Sequence, residues 1–273
     1  MAIRVCVAGV SGWTGSAVAR AILSCDEFDL TGAVARRQAG RDAGELLGLA
    51  AKGVIVAANL EDALARPADV LVDFTSPASV KQRTLEALAR GVRVVIGTSG
   101  LTAADYAEIE RTATENRLGV IAAGNFSLTA ALAKHFALLA AKHLPSWEII
   151  DYAHAEKPDA PSGTTRELAE ALGEVARNKL ALPVEQTHGD RQARGASVAG
   201  TQVHSVRLPG IVLAFETIFG LPNERLTIRH DAGKGAEPYV GGTLLAVRRV
   251  METTGLVRGL DRLLFGVEPA LVP

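Results

Sequence analysis

Short apolar runs alternate with segments of helical periodicity along the first half of the chain. The apolar runs are rich in β-branched residues and predict strands at Ile3–Ala8, Leu30–Ala35, Val54–Ala57, Val70–Phe74, Val92–Ile96 and Gly119–Ile121. Between them, helical periodicity predicts helices at Ala17–Leu23, Leu60–Ala65, Ser79–Arg90 and Ala103–Asn116. Alternating strands and helices are typical of a parallel sheet covered by helices on both faces. We therefore predict an N-terminal α/β domain with a doubly wound parallel sheet.

The pattern changes after Asn125. The following segments predict, in order, a long helix, a strand, a second helix and three longer antiparallel strands: Leu128–His143, Glu148–Tyr152, Arg166–Arg177, Thr201–Arg207, Ile211–Phe219 and Arg225–His230. This order predicts a C-terminal α+β domain with an open mixed sheet. The helical segment Gly241–Thr254 is expected to return to the first domain. We therefore assign residues 1–126 and 233–273 to one domain and residues 127–232 to the other.

Composition and charge narrow the class of protein. The 273 residues are 48% hydrophobic and 22% charged, which is typical of a globular protein. The formal net charge of −1 argues against nucleic acid or an anionic membrane as a partner. No apolar run approaches the roughly 18 residues that a membrane span needs, and the N-terminus lacks the pattern of a signal peptide. Cys6 and Cys25 have no metal-site spacing, so we expect a cytoplasmic protein without a metal centre.

Three glycines follow the first predicted strand and precede the first predicted helix. Gly9, Gly12 and Gly15 enclose Trp13 and Thr14 in a Gly-x-x-Gly-x-x-Gly pattern. Such glycines let the backbone approach a pyrophosphate, which binds at the helix N-terminus. We therefore predict that this turn, with Trp13 and Thr14, binds a dinucleotide in a Rossmann-type domain. The alternative is a glycine turn that only packs the helix against the strand.

The residues after the second predicted strand bear on the choice of cofactor. Sites that prefer NAD commonly place an acidic residue there to bind the ribose 2′-hydroxyl. This chain instead has Arg36 and Arg37, and two guanidinium groups favour a 2′-phosphate. We therefore predict NADPH as the cofactor, with NADH as the alternative. The other interpretation is that these arginines form an ordinary solvent-exposed surface.

Two further turns lie at the carboxyl ends of predicted strands, where ligands bind in open α/β sheets. One turn contains Phe74 and Thr75, and the other contains Gly97, Thr98 and Ser99. We predict that these residues line the cofactor site, with Phe74 packing near the cofactor. Thr98 and Ser99 are expected to face the nicotinamide or the substrate. For each residue, the alternative is a turn that only packs locally.

The run from Ala153 to Thr164 combines more reactive groups than any other part of the chain. A helix is predicted to start after it, with Thr164 and Glu167 as a capping box. A helix N-terminus offers unpaired N–H groups to anions. Lys157 adds a positive charge and a proton donor, and His154 adds an imidazole. This run is therefore predicted to bind a carboxylate and to donate a proton.

The groups in this run have alternative interpretations. Lys157 is predicted to donate the proton of an imine reduction. The alternative is an electrostatic clamp for a carboxylate, and the two roles are compatible. His154 is predicted to bind a carboxylate or donate a proton, although a lone histidine is more often structural. Asp159 is expected to anchor its own turn. Tyr152 lies on the same strand face as His154 and is a further candidate hydroxyl donor.

Several motifs of the chain occur together, in the same order, in one enzyme family. They are the Gly9/Gly12/Gly15 turn, Asp73-Phe74-Thr75, Gly97-Thr98-Ser99-Gly100, Asn125-Phe126-Ser127, Lys157 through Thr164, and Val206-Arg207 with Gly210-Ile211-Val212. By these motifs the chain resembles, nearly from end to end, the 4-hydroxy-tetrahydrodipicolinate reductase family, also called dihydrodipicolinate reductases. The most specific motif is Lys-x-Asp-Ala-Pro-Ser-Gly-Thr.

The resemblance implies a function in lysine and diaminopimelate biosynthesis. It implies NAD(P)H-dependent reduction of 4-hydroxy-tetrahydrodipicolinate, a small-molecule dicarboxylate, to tetrahydrodipicolinate by a homotetramer. It also implies that residues 1–126 and 233–273 bind the dinucleotide. Residues 127–232 would then bind the substrate and form the oligomer.

The resemblance also assigns roles to individual residues. Lys157 matches the catalytic lysine of the family, and His154 matches the second histidine of a histidine pair. Ser162, Gly163 and Thr164 match the turn that holds a substrate carboxylate. We therefore expect Lys157 and His154 to be catalytic, and His154 to share substrate binding with the Ser162–Thr164 turn.

The chain departs from the family pattern in several places. Ala153 stands where the family has the first histidine of its pair, a proposed general acid. The other departures are Leu213-Ala214-Phe215-Glu216 in place of Gly-Glu-His-Thr, Asp231-Ala232-Gly233-Lys234-Gly235 in place of a hydroxyl-rich run with an arginine, and Trp13-Thr14 in place of arginine and methionine. Two other functions therefore stay open: a related oxidoreductase for another imine, keto or amino acid, and a non-catalytic nicotinamide-binding regulator.

Overall fold

The computed structural model describes residues 1–266 and divides the chain into two compact units. Unit 1 comprises residues 1–128 and the residues from Gly235 onward, and unit 2 comprises Thr129–Lys234. The first domain assigned from the sequence ends in residues 267–273, which lie outside the described residues. Within residues 1–266, no helix combines the length and the apolar character required to cross a membrane.

The elements are numbered along the chain. The strands are β1 (Ile3–Ala8), β2 (Phe28–Val34), β3 (Val56–Ala57), β4 (Val70–Asp73), β5 (Arg93–Ile96), β6 (Gly119–Ala122), β7 (Trp147–Ala153), β8 (Ala196–Val198), β9 (Thr201–Arg207), β10 (Leu213–Leu221), β11 (Glu224–Ala232) and β12 (Gly255–Arg258). The helices are α1 (Trp13–Leu23), α2 (Ala43–Leu46), α3 (Leu60–Ala63), α4 (Pro77–Ala89), α5 (Ala103–Glu115), α6 (Leu128–Ala141), α7 (Gly163–Val175), α8 (Glu237–Val250) and α9 (Leu260–Phe265).

Unit 1 contains a seven-stranded sheet in the order β12-β6-β5-β4-β1-β2-β3, and its paired strands are all parallel. This confirms the predicted doubly wound, Rossmann-type sheet. β12 is absent from the predicted strands because it is short, begins with Gly255 and is followed by Gly259, so it forms no recognisable apolar run. α8 begins at Glu237, before the predicted Gly241. Pro238 is tolerated in its first turn, because the N–H that proline lacks would have no intrahelical acceptor at a helix start.

The centre of this parallel sheet is apolar. In β1, Val5, Cys6 and Val7 are fully buried, as expected for a strand covered by helices on both faces. Burial raises the pKa of the Cys6 thiol to about 12, with a smaller contribution from the charge of Asp73. Cys6 is therefore a protonated core residue at neutral pH.

Unit 2 contains a five-stranded sheet in the order β11-β10-β7-β9-β8. β7 and β9 are parallel and the other neighbours are antiparallel, which confirms the predicted mixed sheet. As predicted, β10 runs antiparallel to β11 and opposite in direction to β9, and the parallel pair of the mixed sheet is β7 with β9. The connection between them contains α7, and a helical crossover of this kind joins parallel strands.

β7 positions the candidate site of unit 2. Its residues alternate, and Trp147, Ile149, Asp151 and Ala153 are buried. Trp147 and Ile149 belong to the same apolar cluster as Leu168 of α7. Asp151 therefore occupies a buried position in a strand whose other buried side chains are apolar.

Candidate active site

The glycine turn of unit 1 joins β1 to α1. Gly9 has a φ of +87°, and its N–H donates to the Val34 carbonyl over 2.9 Å. A Cβ at Gly9 would overlap the carbonyl oxygen of Phe74, and one at Gly15 would overlap the carbonyl oxygen of Gly9. Close packing therefore requires glycine at both positions, and it leaves the nucleotide interpretation open.

The same turn has the features that a bound pyrophosphate requires. α1 begins at Trp13, and its N-cap residue, Gly12, has no side chain to cap the first turn. The N–H groups at a helix start have no intrahelical acceptors, so they are available to an anion. The residues present therefore fit a dinucleotide. Trp13 is 58% exposed, and its ring contacts that of Tyr239 edge-on at 5.6 Å between centroids.

Arg36 and Arg37 form a short 3₁₀ turn immediately after β2. Both side chains are exposed, and neither forms an ion pair with another described residue. Their guanidinium groups are therefore free to bind a phosphate. Nearby Arg41 instead donates to Oε1 of Gln38 over 2.8 Å.

The turns after β4 and β5 are joined by a hydrogen-bonded network around Asp73. Oδ1 of this fully buried carboxylate accepts from the Thr75 hydroxyl over 2.6 Å and from the Thr98 hydroxyl over 2.8 Å. Nη1 of Arg83 donates to the Thr75 hydroxyl over 2.7 Å. The hydroxyls of Thr75 and Thr98 are thus bonded within the protein, whereas Ser99 is exposed.

Phe74 and Gly97 also contact each other in this region, because a Cβ at Gly97 would overlap the Phe74 ring. That ring packs edge-on against Phe126 at 5.9 Å between centroids. The sequence analysis did not identify Asp73 and Arg83 as members of this network. The spacing Asp-x-Thr, which is typical of a side chain that accepts from the backbone two residues on, was the available signal for Asp73.

The loop between β7 and α7 places the reactive run of unit 2. α7 begins at Gly163, and its N-cap is Ser162, whose hydroxyl accepts from the Thr165 N–H. The predicted capping box of Thr164 and Glu167 is therefore wrong. The cause is that Asp151 holds Ser162, two residues before Thr164, while Glu167 accepts from Lys134 over 2.7 Å.

Gly163 and Thr164 occupy the first turn of α7. Gly163 is exposed, and Thr164 is half-buried. No atom lies within 4 Å of a Cβ placed at Gly163, so the space beside it is open. Their N–H groups, together with the Thr164 hydroxyl, are suited to bind a carboxylate.

Lys157 and His154 lie in the same loop. Nζ of Lys157 is 2.7 Å from Oδ1 of Asp159, and the Lys157 side chain is 22% exposed. The hydrogen bond from Lys157 lowers the pKa of Asp159 below its ordinary value. His154 is largely exposed, with Nδ1 3.2 Å from Oε2 of Glu156. The Lys157 N–H donates to the His154 carbonyl over 3.2 Å, which links the two residues through the backbone.

Ala153 and Tyr152 lie next to this loop, at the end of β7. Ala153 is fully buried, so its methyl group is enclosed within the unit. The Tyr152 ring lies 5.0 Å from the guanidinium carbon of Arg229, a cation–π contact. Within the part of the chain that the structure describes, no group of His, Cys, Asp or Glu could hold a metal ion.

A doubly wound parallel sheet with a glycine turn before its first helix is the architecture of dinucleotide-dependent oxidoreductases. The chain belongs to the dihydrodipicolinate reductase family. The N-terminal family model, "Dihydrodipicolinate reductase, N-terminus", matches residues 3–126, and the C-terminal model matches residues 126–264. This confirms the resemblance seen in the motifs.

Individual relatives agree with this assignment. The chain is 42% identical over 269 residues to a 4-hydroxy-tetrahydrodipicolinate reductase of Desulfitobacterium hafniense, covering 96% of this chain and 98% of that protein. A reductase of the same name from Moorella thermoacetica is 41% identical over 265 residues, with the same coverage. Among solved structures, a dipicolinate-bound dihydrodipicolinate reductase from Paenisporosarcina sp. TG-14 is 34% identical, with a TM-score of 0.83 and coverage of 96% and 99%.

Proposed function

We propose that this enzyme reduces 4-hydroxy-tetrahydrodipicolinate to tetrahydrodipicolinate with NADPH, in lysine and diaminopimelate biosynthesis. The observation that carries the proposal is the β7–α7 loop, which combines the Lys157 ammonium group with the open first turn of α7. A dicarboxylate imine needs both an anion site and a proton donor. Relatives that cover nearly all of the chain bear this enzyme's name.

The proposed cofactor site is formed by unit 1. The first turn of α1, from Gly12 to Gly15, would bind the pyrophosphate, and Arg36 and Arg37 the 2′-phosphate. Phe74, Gly97, Thr98 and Ser99 would line the nicotinamide end. When bound, NADPH would supply the hydride that replaces the 4-hydroxyl group of the substrate.

The proposed substrate site is formed by unit 2. The Gly163 and Thr164 N–H groups would bind one carboxylate, and Ser162 would keep them in place as the N-cap. Lys157 would leave Asp159 to bind the substrate and would donate the proton that balances the hydride, while the 4-hydroxyl group leaves as water. His154, largely exposed beside Lys157, would bind a substrate carboxylate or act as a second donor.

One observation favours a second candidate function. Ala153 is fully buried and replaces the family's proposed general acid, so that imidazole is missing from the site. Without this imidazole as a proton donor, the enzyme would act on a related imine, keto or amino acid whose conversion does not need a second general acid. A nicotinamide-binding regulator without turnover would not need the Lys157 proton donor.

Oxidation of NADPH, followed at its absorbance band, tests these functions. The assay uses 4-hydroxy-tetrahydrodipicolinate, and a panel of monocarboxylate cyclic imines is measured in parallel. We expect the highest kcat/KM with the dipicolinate-pathway substrate. A higher value for another imine would identify a related reductase, and NADPH binding without turnover on any compound would identify a regulator.

Cellular location and assembly belong to the same proposal. Cys6 and Cys25 are free thiols, which is consistent with a reducing cytoplasm. We propose a cytoplasmic homotetramer, with the sheet of unit 2 as the contact surface. Light scattering of the purified protein would test the tetramer, and a monomer or dimer mass would contradict it.

A further inference from the structure

We propose that Asp151 is the positioning residue of the Lys157–Thr164 loop, and that it acts through direct bonds to Ser162 and Arg207. The role of the loop in catalysis rests on the proposed function, but the positioning itself does not. Asp151 is fully buried, in a strand row that otherwise contains Trp147, Ile149 and Ala153. A buried carboxylate is costly unless hydrogen bonds satisfy it, so its partners define its role.

Ser162 is bound by both oxygens of Asp151. Its hydroxyl donates to Oδ1 over 2.6 Å, and its N–H donates to Oδ2 over 2.9 Å. Ser162 is also the N-cap of α7, and Thr165 in the first turn donates its hydroxyl to Oδ1 over 3.0 Å. Asp151 therefore determines where α7 begins. The positions of the Gly163 and Thr164 N–H groups follow from that starting point.

Arg207 connects Asp151 to the other part of the loop. Nη2 of Arg207 donates to Oδ2 of Asp151 over 2.7 Å and to the Asp159 carbonyl over 2.7 Å. Both hydrogens of this nitrogen are thus used, one for the strand and one for the loop. The Asp159 side chain in turn contacts Nζ of Lys157 over 2.7 Å. A continuous series of bonds therefore runs from the buried carboxylate to the proposed proton donor.

The ionised form of Asp151 is required for this arrangement. Burial by itself would raise the pKa of Asp151, but the bonds from Ser162 and Arg207 outweigh burial and hold the pKa below its ordinary value. Ser205 of β9 adds a hydroxyl 3.1 Å from Oδ2, and Phe215 of β10 lies opposite in the strand register. The carboxylate faces hydroxyl, N–H and guanidinium donors. A neutral amide of the same size would turn its own N–H group towards some of these donors, so that those hydrogen bonds would be lost.

Asp151→Asn tests the proposal, with Thr201→Val as its matched control. The Thr201 hydroxyl accepts from Nε1 of the Trp147 indole over 2.9 Å, so Thr201→Val removes a buried hydrogen bond at the opposite end of β7. Hydrogen–deuterium exchange of residues 154–166 is the first readout, because it needs no substrate. We expect exchange there to accelerate by at least about tenfold in Asp151→Asn and to stay unchanged in Thr201→Val.

Kinetics with the substrate identified for the wild type are the second readout. We expect kcat/KM to fall by about 100-fold in Asp151→Asn, with the affinity for NADPH unchanged, because the loop is displaced while unit 1 is untouched. Asp151→Glu, which keeps the charge, should restore part of the loss. Wild-type exchange of residues 154–166 in Asp151→Asn would overturn the proposal, as would an equal acceleration there in Thr201→Val. If the wild type reduces no imine, the proposed function fails, while the exchange measurement still decides the role of Asp151.

Discussion

Gly9 lies directly against the backbone of Phe74, so closely that a Cβ at Gly9 would overlap the Phe74 carbonyl oxygen. Gly9 also has a left-handed φ of +87°, a backbone angle that residues other than glycine rarely adopt. The contact joins the turn after β1 to the turn after β4, and both turns belong to the proposed cofactor site. The missing side chain and the left-handed backbone of Gly9 therefore allow the two turns to pack in contact.

We expect Gly9→Ala to lower the free energy of unfolding by about 2–4 kcal/mol, the sum of backbone strain and overpacking. Gly53→Ala is the control, because Gly53 has a φ of +69° but nothing within 4 Å of its Cβ position. It should cost only the backbone strain, about 1–2 kcal/mol. Urea unfolding measures both, and equal losses would show that the contact with Phe74 contributes nothing.

The paired variant Arg36→Gln/Arg37→Gln should weaken NADPH binding by about 10- to 100-fold, because charge-assisted bonds to the 2′-phosphate are lost. NADH lacks this phosphate, so its affinity should change little. Arg111→Gln on α5 is the control for removal of an exposed arginine. Titration calorimetry gives both affinities, and an equal loss for NADPH and NADH would refute the 2′-phosphate assignment.

Trp13 offers a direct optical test of the glycine turn. The chain has two tryptophans, and Trp147 is buried in unit 2 whereas Trp13 is exposed beside the proposed pyrophosphate site. We expect NADPH to quench the emission of Trp13, so that Trp13→Phe removes most of the signal change. Trp147→Phe should retain it. Quenching that persists in Trp13→Phe would place the dinucleotide elsewhere.

Lys157→Ala should lower kcat on the order of 10³-fold, because a positioned proton donor contributes that much to an imine reduction. NADPH affinity should stay nearly unchanged, since Lys157 lies in unit 2 and the proposed dinucleotide site in unit 1. Lys179→Ala, at an exposed lysine after α7, controls for the loss of a positive charge. Turnover near the wild-type value would remove Lys157 from the mechanism.

His230 should make the stability of unit 2 depend on pH. Burial lowers the pKa of His230 below its ordinary value of 6.5, and Asp231 offsets this only in part. The unfolded chain therefore binds a proton more readily than the folded protein, so stability is greatest above pH 6.5 and declines as pH falls through the folded-state pKa. The ring lies 5.4 Å from that of Phe215, with Nε2 3.1 Å from the Thr129 hydroxyl.

Unfolding free energies at pH 5.5 and pH 7.5 measure this effect. His230→Gln should reduce the difference between the two values, and His188→Gln, at an exposed histidine, should not. If both variants keep the wild-type difference, His230 does not contribute to the pH dependence.

Most strands of the unit 1 sheet could be predicted from the sequence, because each of them is a short apolar run. It also found the loop with His154, Lys157 and Ser162, since those residues are close together in the chain. It missed β12, which is too short for periodicity, and it placed the start of α7 at the wrong residue. Thr164 and Glu167 have the residue types and spacing of a capping box. The N-cap is nevertheless Ser162, because Asp151, which lies outside the helix, binds it.

The sequence alone thus determined the two kinds of sheet, the glycine turn before α1 and the group of reactive residues after β7, because short-range patterns specify each of them. Only the tertiary structure showed that Asp151 joins Ser162 to Arg207, and that Asp73 joins Thr75 to Thr98. These partners come from different elements, and no local pattern records which of them will meet. A buried carboxylate selects its donors only when the strands and helices that carry them have packed together.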